Sequence, residues 1–339
     1  MKTCFIESAG KIGYGEAASP RVGPEDVLLK VKRVGYCGSD LNTYRGLNPL
    51  VGYPRIPGHE LTAEIVETGK AVPATLRSGL LATVLPYTAC GRCSACLAGR
   101  SNACRNNQTL GVQRDGALAE FISVPYDKVI LSPKLSELEL ALVEPLSVGF
   151  HAVGRGQVTK ADTVLVFGCG MIGLGAIASA GLECGARVIA VDIDDAKLEL
   201  ARQCGAAHTV NSRRENLETE VAEMTGGEGV NVVIEAVGLP QTYTQAVSVV
   251  AFAGRIVYIG YAKASVAYET KYFVMKELDI RGSRNATKQD FERVVAVLES
   301  GRYPSERTVT HTVPFAQAGE ALEAWSRNPA AVTKIHVTL

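Results

Sequence analysis

The chain has 339 residues, more than one hydrophobic core usually serves, so two domains are expected. A composition of 47% hydrophobic and 21% charged residues is ordinary globular material, which excludes a disordered or low-complexity chain. Lys plus Arg and Asp plus Glu both number 35, so no basic excess points to nucleic acid and no acidic tail to disorder. The first residues, MKTCFIESAGKIGYGE, lack the apolar core of a signal peptide.

The first third consists of short apolar runs broken by turn residues: DVLLKVKRVG, AEIVETG, LLATVLPY and AEFISVP. Such runs, with Gly and Pro between them, predict an irregular antiparallel β-barrel or sandwich. Among them, GYCGSD at 35–40 presents Cys37, and GHE at 58–60 presents His59 and Glu60. A lone buried cysteine is more often apolar filler, and a lone histidine beside glycine more often a structural hydrogen-bonding group. Spacing alone leaves these readings open beside the metal-ligand one.

The segment CGRCSACLAGRSNAC is far more specific. It sets Cys90, Cys93, Cys96 and Cys104 in a C-x2-C-x2-C-x7-C array. The chain reads as a soluble cytoplasmic protein, and that compartment keeps thiols reduced, so its nine cysteines are not expected to form disulfides. Four thiolates so close together suit tetrahedral zinc. A ferredoxin-type iron–sulfur run has a shorter final gap and a following proline; here the gap is seven and Arg105 follows. With no ligand position left open, the expected zinc is structural.

Near residue 145 the character changes to strands alternating with helical patterns. TVLVFG, RVIAVD, HTVN, VNVVIEAVG, RIVYIG and ELDIRGS predict about six strands of a doubly wound parallel sheet. Helices are expected between them, near 214–225 and 240–253 among others, with Gly205 and Gly254 at helix C-termini. Residues 163–182 carry no charge, but five glycines and a mid-run switch in residue type favour strand, turn and buried helix over a membrane span. Gly168, Gly170, Met171, Ile172 and Gly173 form a G-x-G-x-x-G run between strand and helix, and Asp192 follows nineteen residues after the third glycine. In that context the glycines let a pyrophosphate approach the helix N-terminus, and Asp192 can accept hydrogen bonds from the adenosine ribose. Asp192 would repel a 2′-phosphate, and Ile193, Asp194 and Asp195 add no cation, so NAD is favoured over NADP. The rival reading gives the glycines a packing role and makes Asp192 the cap of the next helix. Cys4, Cys169, Cys184 and Cys204 have no partners by spacing and read as buried small residues. Past residue 284 a helix, KQDFERVVAVLESG, is announced by Thr287 with Asp290 three residues on. The last residues, AVTKIHVTL, break the alternation and are expected to return to the first domain.

Taken together, G-Y-C-G-S-D, G-H-E, the four-cysteine array and the Gly-rich motif, in that order, resemble the zinc-dependent medium-chain alcohol dehydrogenases. The likeness is to the polyol branch related to sorbitol and threonine dehydrogenases, and it runs over essentially the whole chain. It implies an α/β protein: a GroES-like irregular β-barrel catalytic domain (1–146 and 285–339, with a structural zinc lobe near 86–106) and an inserted Rossmann domain (147–284). It implies two zinc ions per chain and NAD. Cys37 and His59 would be ligands of a catalytic zinc, with Glu60 and Glu144 supplying the carboxylate side and the choice between them open. Ser39 would relay the substrate proton, and Asp40 would orient the ligating histidine. Many relatives carry a histidine three residues beyond the relay hydroxyl; Asn42 stands there instead and cannot titrate near neutral pH. Zinc would act as a Lewis acid on an alcohol and the nicotinamide would take up hydride.

The resemblance of RGSRNATKQDF at 281–291 to bacterial members acting on aldonates of the galactonate or gulonate type leans towards a sugar-acid substrate. Arg45 and Arg284 are the candidate carboxylate partners, unless they are solvated surface groups or Arg284 contacts cofactor phosphate. A neutral polyol or L-threonine is the alternative substrate, and a non-catalytic nucleotide-binding zinc protein the alternative class. A homotetramer or homodimer is expected, with no nucleic-acid or membrane partner.

Overall fold

The computed structural model describes residues 1–339 and divides into two compact units, Met1–Glu144 with Ser305–Leu339, and Pro145–Pro304. In the first, a hairpin Lys2–Ser8/Lys11–Glu16 accompanies a seven-stranded sheet. Its path runs His311–Pro314, Ile335–Thr338, Asp26–Tyr36, Glu60–Thr68, Leu81–Val84, Val129–Leu131, with Phe121–Pro125 also paired to Asp26–Tyr36. Val27, Leu29 and Val31 alternate into the core. A register shift between Val31 and Arg33 then resets the alternation, so Val34 and Tyr36 are the buried apolar residues of the strand's end. Gly35 is thereby paired with Glu60 on one side and His336 on the other. The last strand does return to this unit, lying antiparallel to Asp26–Tyr36.

The second unit holds six parallel strands in the order His208–Asn211, Arg187–Asp192, Thr163–Phe167, Val230–Glu235, Val250–Tyr258, Asp279–Gly282. Numbered along the chain this is 3-2-1-4-5-6, the order of a dinucleotide-binding sheet, with its switch point beside Thr163–Phe167. The strands are near-continuous apolar runs because both faces are covered. The uncharged run at 163–182 resolves into strand Thr163–Phe167 and helix Met171–Ala178, and no helix is long and apolar enough to cross a membrane.

Two local expectations are corrected. Gly254 does not end a helix: the helix Pro240–Val249 stops earlier, and Gly254 lies within strand Val250–Tyr258, where Ala253 takes a positive φ of 54° at a register shift. Gly205, with φ of 112°, does stand just past the helix Asp195–Gln203. Residues 285–304, assigned by sequence to the first domain, pack with the second unit. The helix Lys288–Glu299 buries Phe291, Val294, Val297 and Leu298 there, and its capping residue Asp290 reaches His151 at 2.8 Å.

Asp290 is 5% exposed and accepts from Thr287 N (2.9 Å) and Thr287 Oγ1 (2.7 Å), with Arg293 Nη1 at 3.1 Å. Burial pushes its carboxyl up, but the bonds from His151 and Thr287 outweigh that and hold it below its ordinary value of 3.8. A depressed carboxylate stabilises the fold at pH above its unfolded value, and that stability is lost as pH falls through the folded value. Asp290→Ala is expected to cost about 2–4 kcal/mol near neutral pH, from the lost cap and charge-assisted bonds. In urea unfolding, the gap between wild type and variant should shrink in acid; a gap independent of pH would remove the carboxylate from the explanation.

Candidate metal centres and cofactor site

Cys37 stands at the N-cap of the short helix Gly38–Tyr44, and its N–H donates to Asp40 Oδ2 at 2.8 Å. The helix start thus fixes Cys37, Ser39 and Asp40 relative to one another. His59 and Glu60 lead into strand Glu60–Thr68, which pairs with Asp26–Tyr36 through Gly35↔Glu60. That pairing carries the two sequence-distant segments together. One donor atom each from Cys37, His59 and Glu60 lie within 4.8 Å of one another. His59 Nδ1, Asp40 Oδ1 and Ser39 Oγ are buried and have no hydrogen-bond partner. Orphaned polar atoms in such a cluster call for a further group.

The electrostatics point to a cation. Burial pushes the Asp40 and Glu144 carboxyls up, and Glu60 adds repulsion to both. Burial pulls His59 down, yet Cys37, Asp40 and Glu144 hold its proton well above the ordinary imidazole value. A divalent cation would neutralise this concentration of negative charge. Thiolate, imidazole and carboxylate are the donor set of a zinc with an open position, so the residues fit that metal.

Two residues that sequence reasoning missed complete the site. Lys334 Nζ contacts Glu60 Oε1 at 2.7 Å and Oε2 at 2.5 Å, and donates to the Tyr36 carbonyl at 3.0 Å. Burial lowers its pKa, but Glu60 and then Cys37 raise it above the ordinary lysine value, so it is a buried cation. Tyr87 Oη donates to Glu144 Oε1, which is 4% exposed. Glu144 is thus tied to Tyr87, while Glu60 sits in the compact donor cluster.

The four cysteines of the array also converge within 4.8 Å, with Cys93 Sγ 3.5 Å from Cys96 Sγ and 3.9 Å from Cys104 Sγ. Four sulfurs at zinc–thiolate distance from one ion would be roughly 3.8 Å apart, so the array fits a closed tetrahedral site.

In the second unit, Gly168 turns the chain out of strand Thr163–Phe167 with φ of 88°. A Cβ on Gly173 would fall 1.8 Å from the Gly168 carbonyl oxygen, so a side chain there would lift the helix off the strand. A Cβ on Gly170 would meet nothing within 4 Å, which leaves open space over the helix N-terminus where Met171 and Ile172 form the first turn. Asp192 ends strand Arg187–Asp192; Oδ2 accepts from Cys169 N at 2.8 Å, and Oδ1 from Ile193 N at 2.7 Å and Asp194 N at 3.1 Å. The cap of the next helix is Asp194, which accepts from Ala196 N and Lys197 N. Asp192 is therefore oriented at the carboxyl end of a strand beside the Gly-rich turn, without a capping duty.

Two family models match the chain, the alcohol dehydrogenase GroES-like domain over residues 23–134 and the zinc-binding dehydrogenase over residues 172–300. L-galactonate-5-dehydrogenase of Escherichia coli K12 is 34% identical over 323 residues, covering 95% of this chain and 94% of its own. The chain belongs to the zinc-containing medium-chain alcohol dehydrogenases. Sorbitol dehydrogenase of Bacillus subtilis is 32% identical, covering 95% and 93%, which places this dehydrogenase in the polyol branch. The structure of the rspB alcohol dehydrogenase of E. coli CFT073, complexed with NADH, superposes with a TM-score of 0.92 at 31% identity, covering 100% and 99%.

The two arginines considered for the substrate differ in this dehydrogenase. Arg45 spends Nε and Nη2 on Ser326, with Nε 3.0 Å from its Oγ and Nη2 on its carbonyl. Arg284 is half-buried, two residues past the edge strand Asp279–Gly282.

Proposed function

We propose that this dehydrogenase oxidises a secondary hydroxyl of a sugar acid or polyol, with two zinc ions per chain and NAD as acceptor. The observation that carries the reading is the convergence of Cys37, His59 and Glu60 beside the buried, unpartnered Ser39 hydroxyl. When bound, zinc lowers the pKa of the substrate hydroxyl and the nicotinamide accepts the hydride. Cys37, His59 and one of Glu60 and Glu144 hold the catalytic metal; Asp40 acts on His59 through its charge, since Asp40 Oδ1 and His59 Nδ1 both lack a hydrogen-bond partner. Ser39 takes the substrate proton, and because Asn42 cannot carry it further, water or the cofactor ribose does. The four-cysteine lobe holds the other zinc without touching substrate. Gly168, Gly170, Met171, Ile172 and Gly173 receive the pyrophosphate, and Asp192 receives the ribose hydroxyls. We place the protein in the cytoplasm, a reducing setting that keeps the ligating thiols available to zinc, and family likeness supports a homodimer or homotetramer.

Asp192→Asn keeps an acceptor for the neighbouring amides but removes the charge. It should lower kcat/KM for NAD by about one power of ten and raise it for NADP, since a charge-assisted bond and a repulsion are lost together. Equal use of NADP by the wild type would overturn the role of Asp192.

For the substrate, the 34% identity to an L-galactonate dehydrogenase supports the sugar-acid reading, and the 32% identity to a sorbitol dehydrogenase supports a neutral polyol as the second. Arg45 is engaged by Ser326, and Arg284 is the carboxylate partner put to the test here. The test is kcat/KM for an aldonate against its matching neutral polyol, in wild type and Arg284→Met. A preference for the acid that the variant loses supports the sugar acid; a wild type that prefers the neutral polyol moves the assignment to the sorbitol type.

A further inference from the structure

We propose that Lys334 is a positioning residue that competes with the catalytic metal for Glu60, and that Gly35 is glycine so that Glu60 can reach it. The inference rests on the reading that Cys37 and His59 hold a metal, and it addresses which carboxylate closes their shell. Both oxygens of Glu60 lie within 2.7 Å of Lys334 Nζ. The ammonium also donates to the Tyr36 carbonyl at 3.0 Å, a second partner that does not depend on the carboxylate. The pair is fully enclosed, with Lys334 3% and Glu60 1% exposed, so neither charge can be handed to water. Gly35 supplies an independent observation. A Cβ at that position would stand 2.3 Å from Glu60 Oε2, so any other residue would displace the carboxylate from the place where Lys334 holds it. The same carboxylate offers an oxygen to the Cys37–His59 cluster within 4.8 Å. Glu60 is therefore shared: what it gives to Lys334 it withholds from the metal. A ligand held back in this way leaves the cation short of negative charge and keeps a coordination position for the substrate oxygen. Glu144, the other carboxylate, is anchored by a hydrogen bond from Tyr87.

Removing the ammonium leaves Glu60 a buried anion with one remaining partner, the metal. In Lys334→Met the affinity of the labile site for zinc should rise by roughly ten- to a hundred-fold, as an unpaired buried charge demands. It is read as a dissociation constant against a chromophoric chelator, with the four-thiolate metal retained as internal reference. Cobalt substituted at the labile site should change its visible spectrum in Lys334→Met, and Lys334→Arg, which keeps the cation, should bring it back towards wild type. Against a Glu60→Gln background the Lys334→Met change should raise metal affinity much less, by no more than the loss of a buried cation near Cys37 accounts for. Gly35→Ala, whose Cβ would displace the Glu60 carboxylate from Lys334, should likewise raise zinc affinity and change the cobalt spectrum, and it keeps the test available if Lys334→Met does not fold. Unchanged or weakened zinc binding in Lys334→Met, or an equal effect of Lys334→Met with Gln at position 60, would overturn the proposal. A wild type with no labile metal would instead overturn the reading of the site itself.

Discussion

Cys37→Ala is expected to abolish turnover while leaving the fold in place. Cys37 is half-buried at the start of a helix, and the bond that fixes that start comes from its backbone N–H to Asp40, which alanine retains. What alanine removes is the thiolate, one of three protein donors in the cluster. Lewis-acid stabilisation by such a metal is worth several kcal/mol, so its loss should lower kcat/KM by roughly three powers of ten or more. Metal content should fall by one zinc per chain, with thermal unfolding little changed. A variant within tenfold of wild type would remove Cys37 from the catalytic centre.

The second large effect concerns the other cysteines, and it falls on stability. Cys104 is 0% exposed, and its sulfur lies 3.9 Å from that of Cys93 and accepts from the Cys90 N–H at 3.3 Å. Around it the segment holds little apolar material of its own: the helix Ser94–Leu97 has no buried residue, and Leu97 is 75% exposed. A lobe without a core depends on its metal, and structural zinc sites of this kind supply on the order of 10 kcal/mol of apparent binding energy. Cys104→Ser should release that zinc, expose the lobe to protease and lower Tm by many degrees. The fraction that remains folded should keep its catalytic zinc. An unchanged Tm with both metals retained would mean that the lobe stands without metal.

What could be read in the sequence follows from how far apart the interacting residues are. The cysteine array lies within fifteen residues, and the Gly-rich turn carries its strand and helix with it, so both were legible. The Thr287–Asp290 capping box was legible for the same reason. The assignment of that helix to a domain was not, because an apolar face records that a helix is buried but not against what; the bond from Asp290 to His151, 139 residues away, belongs to the fold. Lys334 is the sharpest case. In AVTKIHVTL it is one lysine before an alternating strand, and only the antiparallel pairing of that strand with Asp26–Tyr36 brings it to Glu60, 274 residues earlier. Tyr87 was hidden likewise, 57 residues from Glu144. Arg45 looked available because it follows Ser39, the proposed relay, closely; its partner Ser326 is 281 residues on.

The most direct measurement of the proposed activity is NAD reduction by the purified protein over a panel of sugar acids and polyols, before and after a mild chelator, with zinc counted in the same samples. The expected result is NADH formation with at least one secondary alcohol, lost together with one of two zinc ions and restored when zinc is returned. NADH formation that survives loss of the labile zinc, or fully metallated protein that reduces NAD with none of the panel, would contradict it.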